Sequence, residues 1–417
     1  MRFLPIVLLA ACIAVDDSSA LSCGPGTHQQ GGLCVADDTD TDTGSADTGD
    51  EDTDTGGDTD TGTDTGGDTD TGTDTGGDTD TGTPADWTVC AAGGAPYTEI
   101  QDAVDAAAEG DVITVCAGTY DYVEIYRAEL TLVGEDRDTT IITGGSHTAL
   151  FVDTTSLELS GFTLTGDARA TANGAALHLV DTTGTVSDIR IADSTGSYIL
   201  WQEASEVTWS RVLVEDNAGS IFTAYAGGSF VFRHSVFRNN RSNSGSGGSL
   251  FYVSGLDYEV SNNLFYDNEI ASNAEGSSFG EPASAGWVYN NLWWRNDHHG
   301  AQYLVSAYSG VLLENNIVAE TTGGGFLAYT PRDGLQYNAA YNNSGDDFAR
   351  NDGGGVPSGN LGDDCRLTDP EGGDFGLMAG FSPCIDAGNP LSGYNDADST
   401  PNDLGAFGGP NGAWTPP

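Results

Sequence analysis

The densest chemistry in the sequence is WWRNDHHG, Trp293 to Gly300, where paired tryptophans precede an arginine, an aspartate and two adjacent histidines. His298 has the ring type that exchanges protons near neutral pH. Asp216 and Asp267 each fall two positions after a recurring apolar residue. Equivalent positions two repeats apart would hold them roughly 10 Å from each other, near the wide carboxylate separation of inverting glycoside hydrolysis. Arg295 could grip a substrate carboxylate with both arms of its guanidinium. Asp216, Asp267, Arg295 and His298 therefore form the candidate catalytic set. Trp294 and Tyr266, one repeat apart, could give a sugar ring a platform. RHSVFRNNR supplies Arg233, His234, Arg238 and Arg241, a positive cluster suited to an acidic sugar. The plainer alternative is surface charge and external aromatics packing on each other, with no third group to orient His298. Near the end, NDADSTPND gathers Asp396, Asp398 and Asp403. Calcium takes such oxygen ligands, and it is the one cofactor these residues suggest. Turn chemistry closing the last repeat accounts for the same three.

Elements that repeat must position these residues. Leu164, Ile191, Val214, Phe237, Phe265, Trp293 and Val318 follow one another at gaps of 27, 23, 23, 28, 28 and 25 residues. That is a solenoid period. Each unit holds a short alternating strand, as in LELSGFTL, VTWSRVLV or GVLLENNIV, and Gly, Asn, Asp and Ser separate the strands. Helical periodicity is nearly absent. Stacked coils set equivalent residues about 4.8 Å apart. Asn262/Asn263, Asn290/Asn291 and Asn315/Asn316 then stack at one corner, where Asn tolerates left-handed backbone and amides can bond along the ladder. Two places after each apolar anchor runs an outward column of Asp193, Asp216, Asn239, Asp267, Arg295 and Glu320. Pairing between coils is its structural explanation.

Composition bounds the function. The chain has 417 residues, no lysine, 13 basic and 63 acidic residues, and a net charge of −50. Phosphate backbones and anionic lipid faces repel such a chain, which argues against nucleic acid as a partner. The segment 37–84 repeats GGDTDTGTDT without large apolar groups, so it cannot offset its chain entropy and reads as a disordered acidic linker. One domain over 85–417 remains, expected as a monomer.

The opening MRFLPIVLLAAC reads as a secretion signal over 1–11. Its Leu9-Ala10-Ala11-Cys12 resembles a bacterial lipobox, which implies lipidation at Cys12, a cell-envelope location at the outer membrane or cell surface, and membrane contact through the anchor alone. The alternative is an ordinary signal with an incidental cysteine. Residues 12–36 hold the anchor and CGPGTHQQGGLC, which resembles a small Cys-Gly-x-Gly-Thr element of secreted bacterial proteins. Beyond Cys12 six cysteines remain, an even number in an exported chain. They allow many pairings, and locality favours Cys23–Cys34, Cys90–Cys116 and Cys365–Cys384.

YTEIQDAVDAAAEGDVITVCAGTY presents a Thr98–Gln101 capping box, an apolar helix face of Ile100, Ala103, Val104 and Ala107, a terminating Gly110, and then strands. This stretch resembles the opening of right-handed parallel β-helix proteins of the pectin-lyase-like superfold. SPCIDAGNPLSGYNDADSTPNDLGAFGGP resembles their closing segment. The resemblance implies an all-β, single right-handed parallel β-helix with an N-terminal capping helix. It does not fix an activity, because that superfold hosts enzymes and inert repeats alike. Two functions follow as expectations. One is a non-catalytic surface module binding a polysaccharide or cell-surface partner. The other is a polysaccharide lyase or hydrolase.

Overall fold

A computed structural model describes Thr27–Gln30, Leu33–Ala36 and, from 87 to 417, all residues except 127–128, 154–155, 167–175, 243–248, 272–275, 281, 283–284, 300–302, 330–333, 352 and 354. The chain divides into two units, Met1–Pro84 and Ala85–Pro417. In the first, Thr27–Gln30 and Leu33–Ala36 pair antiparallel. The Cys12 lipidation site and the Cys23–Cys34 pairing lie outside the described residues.

The second unit is a parallel β-helix of about 9 turns. Its windings are right-handed, the hand that crossovers between twisted parallel strands adopt. A sheet of 10 short strands stacks from Gly118–Asp121 to Ala339–Tyr341. A sheet of 19 strands forms the rest of the wall in two arms. The first arm includes Val123–Tyr126, Leu150–Asp153 and Leu177–Val180, and the second Glu129–Gly134, Ser156–Ser160 and Thr183–Ser187. In Thr195–Ser210 and Ala218–Arg233 the arms fuse into strands of 16 residues. The bend passes through Ala204, Ala226 and Gly227, all at positive φ.

The register is the one the repeat predicts. Leu164, Ile191, Val214, Phe237, Phe265, Trp293 and Val318 pair in unbroken succession, and each is 0% exposed. Phe237, Phe265 and Trp293 stack with ring centroids 4.8 Å apart, which is the strand spacing itself. Each such side chain contributes about 1.5–3 kcal/mol by leaving water.

The paired asparagines divide the work of the corner. Asn262, Asn290 and Asn315 stand at φ 53°, 52° and 59°. The second of each pair turns inward. Asn263, Asn291, Asn316, Asn338 and Asn360 form a ladder in which each Nδ2 donates to the next Oδ1 at 3.0–3.2 Å. Asn291 also donates to Val260 O and Tyr289 O. A second ladder, absent from the sequence analysis, runs through Asn217, Asn240, Asn268 and Asn296 at the other end of the short strands.

Both ends are closed. The helix Ile100–Ala106 buries Ile100, Ala103 and Val104 over the first coil, and Cys90–Cys116 staples the strands beneath it. The expected capping box does not form. Glu99 is the N-cap without a side-chain bond, because Gln101 instead holds Asp105 and the backbone of Glu124. The helix ends at Ala106, and Gly110, at φ 85°, bonds Glu129 O in the following turn.

At the other end Cys365–Cys384 forms as expected. The chain then runs back along the corner of the first asparagines. Asn315 Oδ1 accepts from Asn389 N, Asn290 donates to Asn402 Oδ1 and Asp403 O, and Asn262 donates to Ala406 O and Gly408 O. This C-terminal strap covers an external apolar stripe of Leu264, Leu292 and Ile317 with Leu404 and Ala406.

Asn291→Ala should lower stability by about 3 kcal/mol or more, since several buried partners would be left unpaired at about 1–3 kcal/mol each. Asn239→Gly, at an exposed corner with φ 54°, should stay within about 1 kcal/mol of the parent or above it. Urea unfolding of both variants checks the contrast.

Candidate functional site

Asp216, Asp267 and Arg295 do share the corner column the repeat predicts. Asp193, Asp216, Asn239, Asp267, Arg295 and Glu320 all hold left-handed backbone, at φ 48–57°. Burial pushes the Asp216 carboxyl above its usual range, with Glu215 and Asp193 adding to the shift. Burial also raises Asp267, against the opposing charge of Arg295.

The candidate catalytic set nevertheless does not converge. Arg295 forks onto Glu371 of the C-terminal segment and lies 4.1 Å over the Trp294 ring. His298 pairs in register with the buried Ile270 and is itself 3% exposed, so it faces the interior rather than the corner. Its neighbour His299 is the external ring, 3.3 Å from Glu269 and 3.4 Å from Asp297.

The expected sugar platform is roofed. Phe375, on the strand Asp374–Leu377, sits 4.7 Å from Tyr266 and 5.6 Å from Trp294, and Trp294 is 2% exposed. The basic cluster is neutralised in place, as a chain this acidic dictates. Arg233 lies 3.9 Å from Glu259 and Arg241 3.2 Å from Glu269. Arg238 and Arg190 close on Glu215 at 2.6 and 2.5 Å. Burial alone would raise Glu215, but these two guanidiniums bring it below the usual carboxylate range. His234 meets Asn411 O at 2.9 Å and stacks near Trp414, within the strap.

The three aspartates of NDADSTPND do not face one ion. Asp396 accepts from Asp403 N and Gly409 N, Asp398 caps Thr400, and Asp403 accepts from Asp386 N. Among the described residues no group of three or more His, Cys, Asp or Glu is placed to hold a metal ion. In this structure all three make local hydrogen bonds that close turns.

A different face gathers aromatic side chains on successive coils. On the first arm of the long sheet the inward positions are Val123, Leu150, Leu177 and Leu200, all 0% exposed. Alternation sends their neighbours outward. There Glu124, Phe151, His178, Trp201 and Thr223 are paired in register on successive coils. One column over stand Tyr126, Asp153, Val180, Glu203 and Tyr225. The rings touch in sequence. Tyr126–Phe151 centroids are 5.6 Å apart, Phe151–His178 5.1 Å, His178–Trp201 4.1 Å and Trp201–Tyr225 5.9 Å, with Tyr198 4.8 Å to the side of Trp201. Five coils thus carry a continuous aromatic strip, roughly 20 Å long at the strand spacing.

His178 is the unusual member. It is 4% exposed, and among the described residues neither ring nitrogen has a hydrogen-bond partner. Glu203 Oε2 approaches only to 3.9 Å. A buried polar group left unpaired costs about 1–3 kcal/mol. Burial pushes the imidazole down to about 4, partly countered by Asp153, so the ring is neutral at pH 7. At the helix end of the strip a groove of about 830 Å³ opens, lined by Gln101, Asp105, Tyr122, Glu124 and Tyr126.

This strip was missed in the sequence, though the signal is present. Phe151, His178 and Trp201 are separated by 27 and 23 residues, the same gaps that separate Leu164, Ile191 and Val214.

The fold and this face define a parallel β-helix with an aromatic flank. No family model and no curated protein matches the chain. Among solved structures it is similar to a pectin methylesterase from carrot, at 15% identity and TM-score 0.36, over 67% of this chain and 88% of that one. It is also similar to the pectin methylesterase PemA from Erwinia chrysanthemi, at 13% identity and TM-score 0.28, over 72% and 99%. At such scores the likeness says nothing about which residues bind or react.

The strap yields a pH prediction. Burial raises Asp403 to about 6, the nearby Asp396, Asp386 and Asp398 add to that, and the Asp386 N–H opposes it. A raised acid favours the folded state below pH about 4 and withdraws that support as pH climbs through about 6. At 1.4 kcal/mol per unit the upper bound is about 3 kcal/mol. Asp403→Asn should therefore raise the melting temperature at pH 7.5 and leave it unchanged at pH 4. Thermal unfolding at the two pH values reads the difference.

Proposed function

We propose that this chain is a carbohydrate-binding module of the bacterial cell envelope, anchored by lipid at Cys12 and held off the membrane by the acidic segment 37–84. The single supporting observation for binding is the strip Tyr126–Phe151–His178–Trp201–Tyr225. Sugar rings present apolar C–H faces that pack on aromatic faces, and their hydroxyls bond to nearby polar groups. His178 is buried within the run and Phe151, Trp201 and Tyr225 are half-buried, while Tyr126 at its helix end is 54% exposed, and apolar surface open to solvent of this kind marks binding surfaces.

Catalysis by Asp216, Asp267, Arg295 and His298 is not carried forward, since Arg295 is engaged by Glu371 and His298 is buried. Anchoring rests on the sequence Leu9-Ala10-Ala11-Cys12 and on a linker too acidic to collapse onto an anionic surface. The module is proposed to act as a monomer without a required cofactor.

Trp201→Ala should weaken glycan binding at least tenfold, about 1.4 kcal/mol, with the melting temperature within a few degrees of the parent. Trp201→Phe should retain most of the affinity. Calorimetric titration of the full chain against a glycan panel tests this, and equal affinity of the parent and Trp201→Ala would overturn it. Cys12→Ser should move the protein from the membrane fraction to the soluble fraction of expressing cells. Retention on the membrane would refute the anchor.

A further inference from the structure

Resting on the glycan reading and going one step beyond it, we propose that the aromatic strip selects a neutral polysaccharide, lying along the helix axis, against polyuronate chains. The axis follows from geometry. The rings occupy successive coils, so only a chain parallel to the stack meets them in turn.

The selectivity follows from the side chains between the rings. Among the described residues the charged groups of these two columns are Glu124, Asp153 and Glu203. All are carboxylates, spread over the length of the strip. Glu124 is in register with Phe151, Asp153 with Tyr126, and Glu203 with Tyr225. The hydroxyls of Tyr126 and Tyr225, near opposite ends, both report this negative field. After burial, the charges of Glu124 and Asp153 raise the first, and that of Glu203 raises the second. His178, the one basic ring in the run, is held neutral by burial. A uronate chain laid here would bring its carboxylates onto those of the protein, inside the field of a chain of net charge −50. An uncharged sugar meets no such repulsion. Its apolar faces take the rings, and its hydroxyls donate to the same carboxylates, whose oxygens are strong acceptors.

The contrast with the opposite wall supports the division. Arg190, Arg233, Arg238 and Arg241 all stand on or beside the short-strand side, and each is paired with a glutamate. Arg127 and Arg169 lie outside the described residues, so the test includes Arg127→Ala.

The test titrates the full chain with uncharged glucan, mannan and galactan, with polygalacturonate, and with a glucosamine polymer, at 50 and 500 mM NaCl and in chelator. We expect a neutral chain to bind with an affinity that changes less than about threefold with salt, because no charge pairing is involved. Polygalacturonate should bind at least tenfold more weakly at low salt. The triple change Glu124→Gln, Asp153→Asn, Glu203→Gln should raise polygalacturonate affinity at least tenfold, and Arg127→Ala should leave the ranking intact. Preference for polygalacturonate or the glucosamine polymer, abolished by Trp201→Ala, would overturn neutrality while keeping the strip as the binding face. Binding to no glycan would overturn both.

Discussion

A coil only three short walls around must turn sharply at each corner, and each turn exposes backbone N–H and C=O groups to the interior. No water reaches them there, so they need partners supplied by side chains. The asparagine ladders are that supply. A primary amide both donates and accepts, so one side chain can satisfy carbonyls of its own coil and the coil before while accepting from an amide of its neighbour in the ladder. Asn291 does this: its Nδ2 donates to Tyr289 O, Val260 O and Asn316 Oδ1, and its Oδ1 accepts from Asn263 N and Nδ2. Once that ladder fixes the stacking distance, every other column inherits it. The Phe237, Phe265, Trp293 stack and the aromatic strip repeat at the same step.

The outer side of each corner is under a different constraint. Left-handed backbone admits Asn and Asp more readily than most residues. The protein uses Asn at three of the posts where the strap docks and Asp, Asn, Arg or Glu along the outward column. Asn262, Asn290 and Asn315 are therefore both turn formers and posts for the C-terminal segment. The strap in turn solves an exposure problem. Leu264, Leu292 and Ile317 point outward from the short strands, and a bare apolar stripe of that length would invite association.

Much of the fold was legible because its grammar is local in the repeat. The middle residue of each three-residue strand must be apolar and must recur once per coil, so Leu164 to Val318 could be aligned by eye. The adjacent asparagines stood out because they are doubled. The second ladder did not, since Asn217, Asn268 and Asn296 each appear singly in a polar stretch and only Asn240 has an Asn neighbour, although each lies three residues after its apolar anchor. The candidate site was less legible for a tertiary reason. What makes Trp294 and Tyr266 unavailable is Phe375, and what occupies Arg295 is Glu371, both supplied by the C-terminal segment from beyond the last coil. No repeat-based alignment of the coils can show that a later segment folds back over them. The strip, by contrast, obeys the repeat and lay within reach of the same alignment, had the first arm of the long sheet been aligned as the short sheet was.

The two walls also differ in what they leave free to vary. On the short-strand wall, corners, ladders and strap contacts fix nearly every outward position, and its arginines are bound to specific glutamates. The first arm of the long sheet carries no sharp corner of its own beneath Phe151, His178 or Trp201. Side chains there answer to no backbone demand, so aromatic identity on successive coils is not explained by folding. The backbone beneath Phe151, His178 and Trp201 is nonetheless held firmly, with each of their strands paired on both sides. Rings held in that way are already placed, and a ligand that stacks on them orders little of the protein as it binds. That is the physical advantage of putting a long, shallow binding face on a β-helix, and it holds only for a ligand extended along the axis.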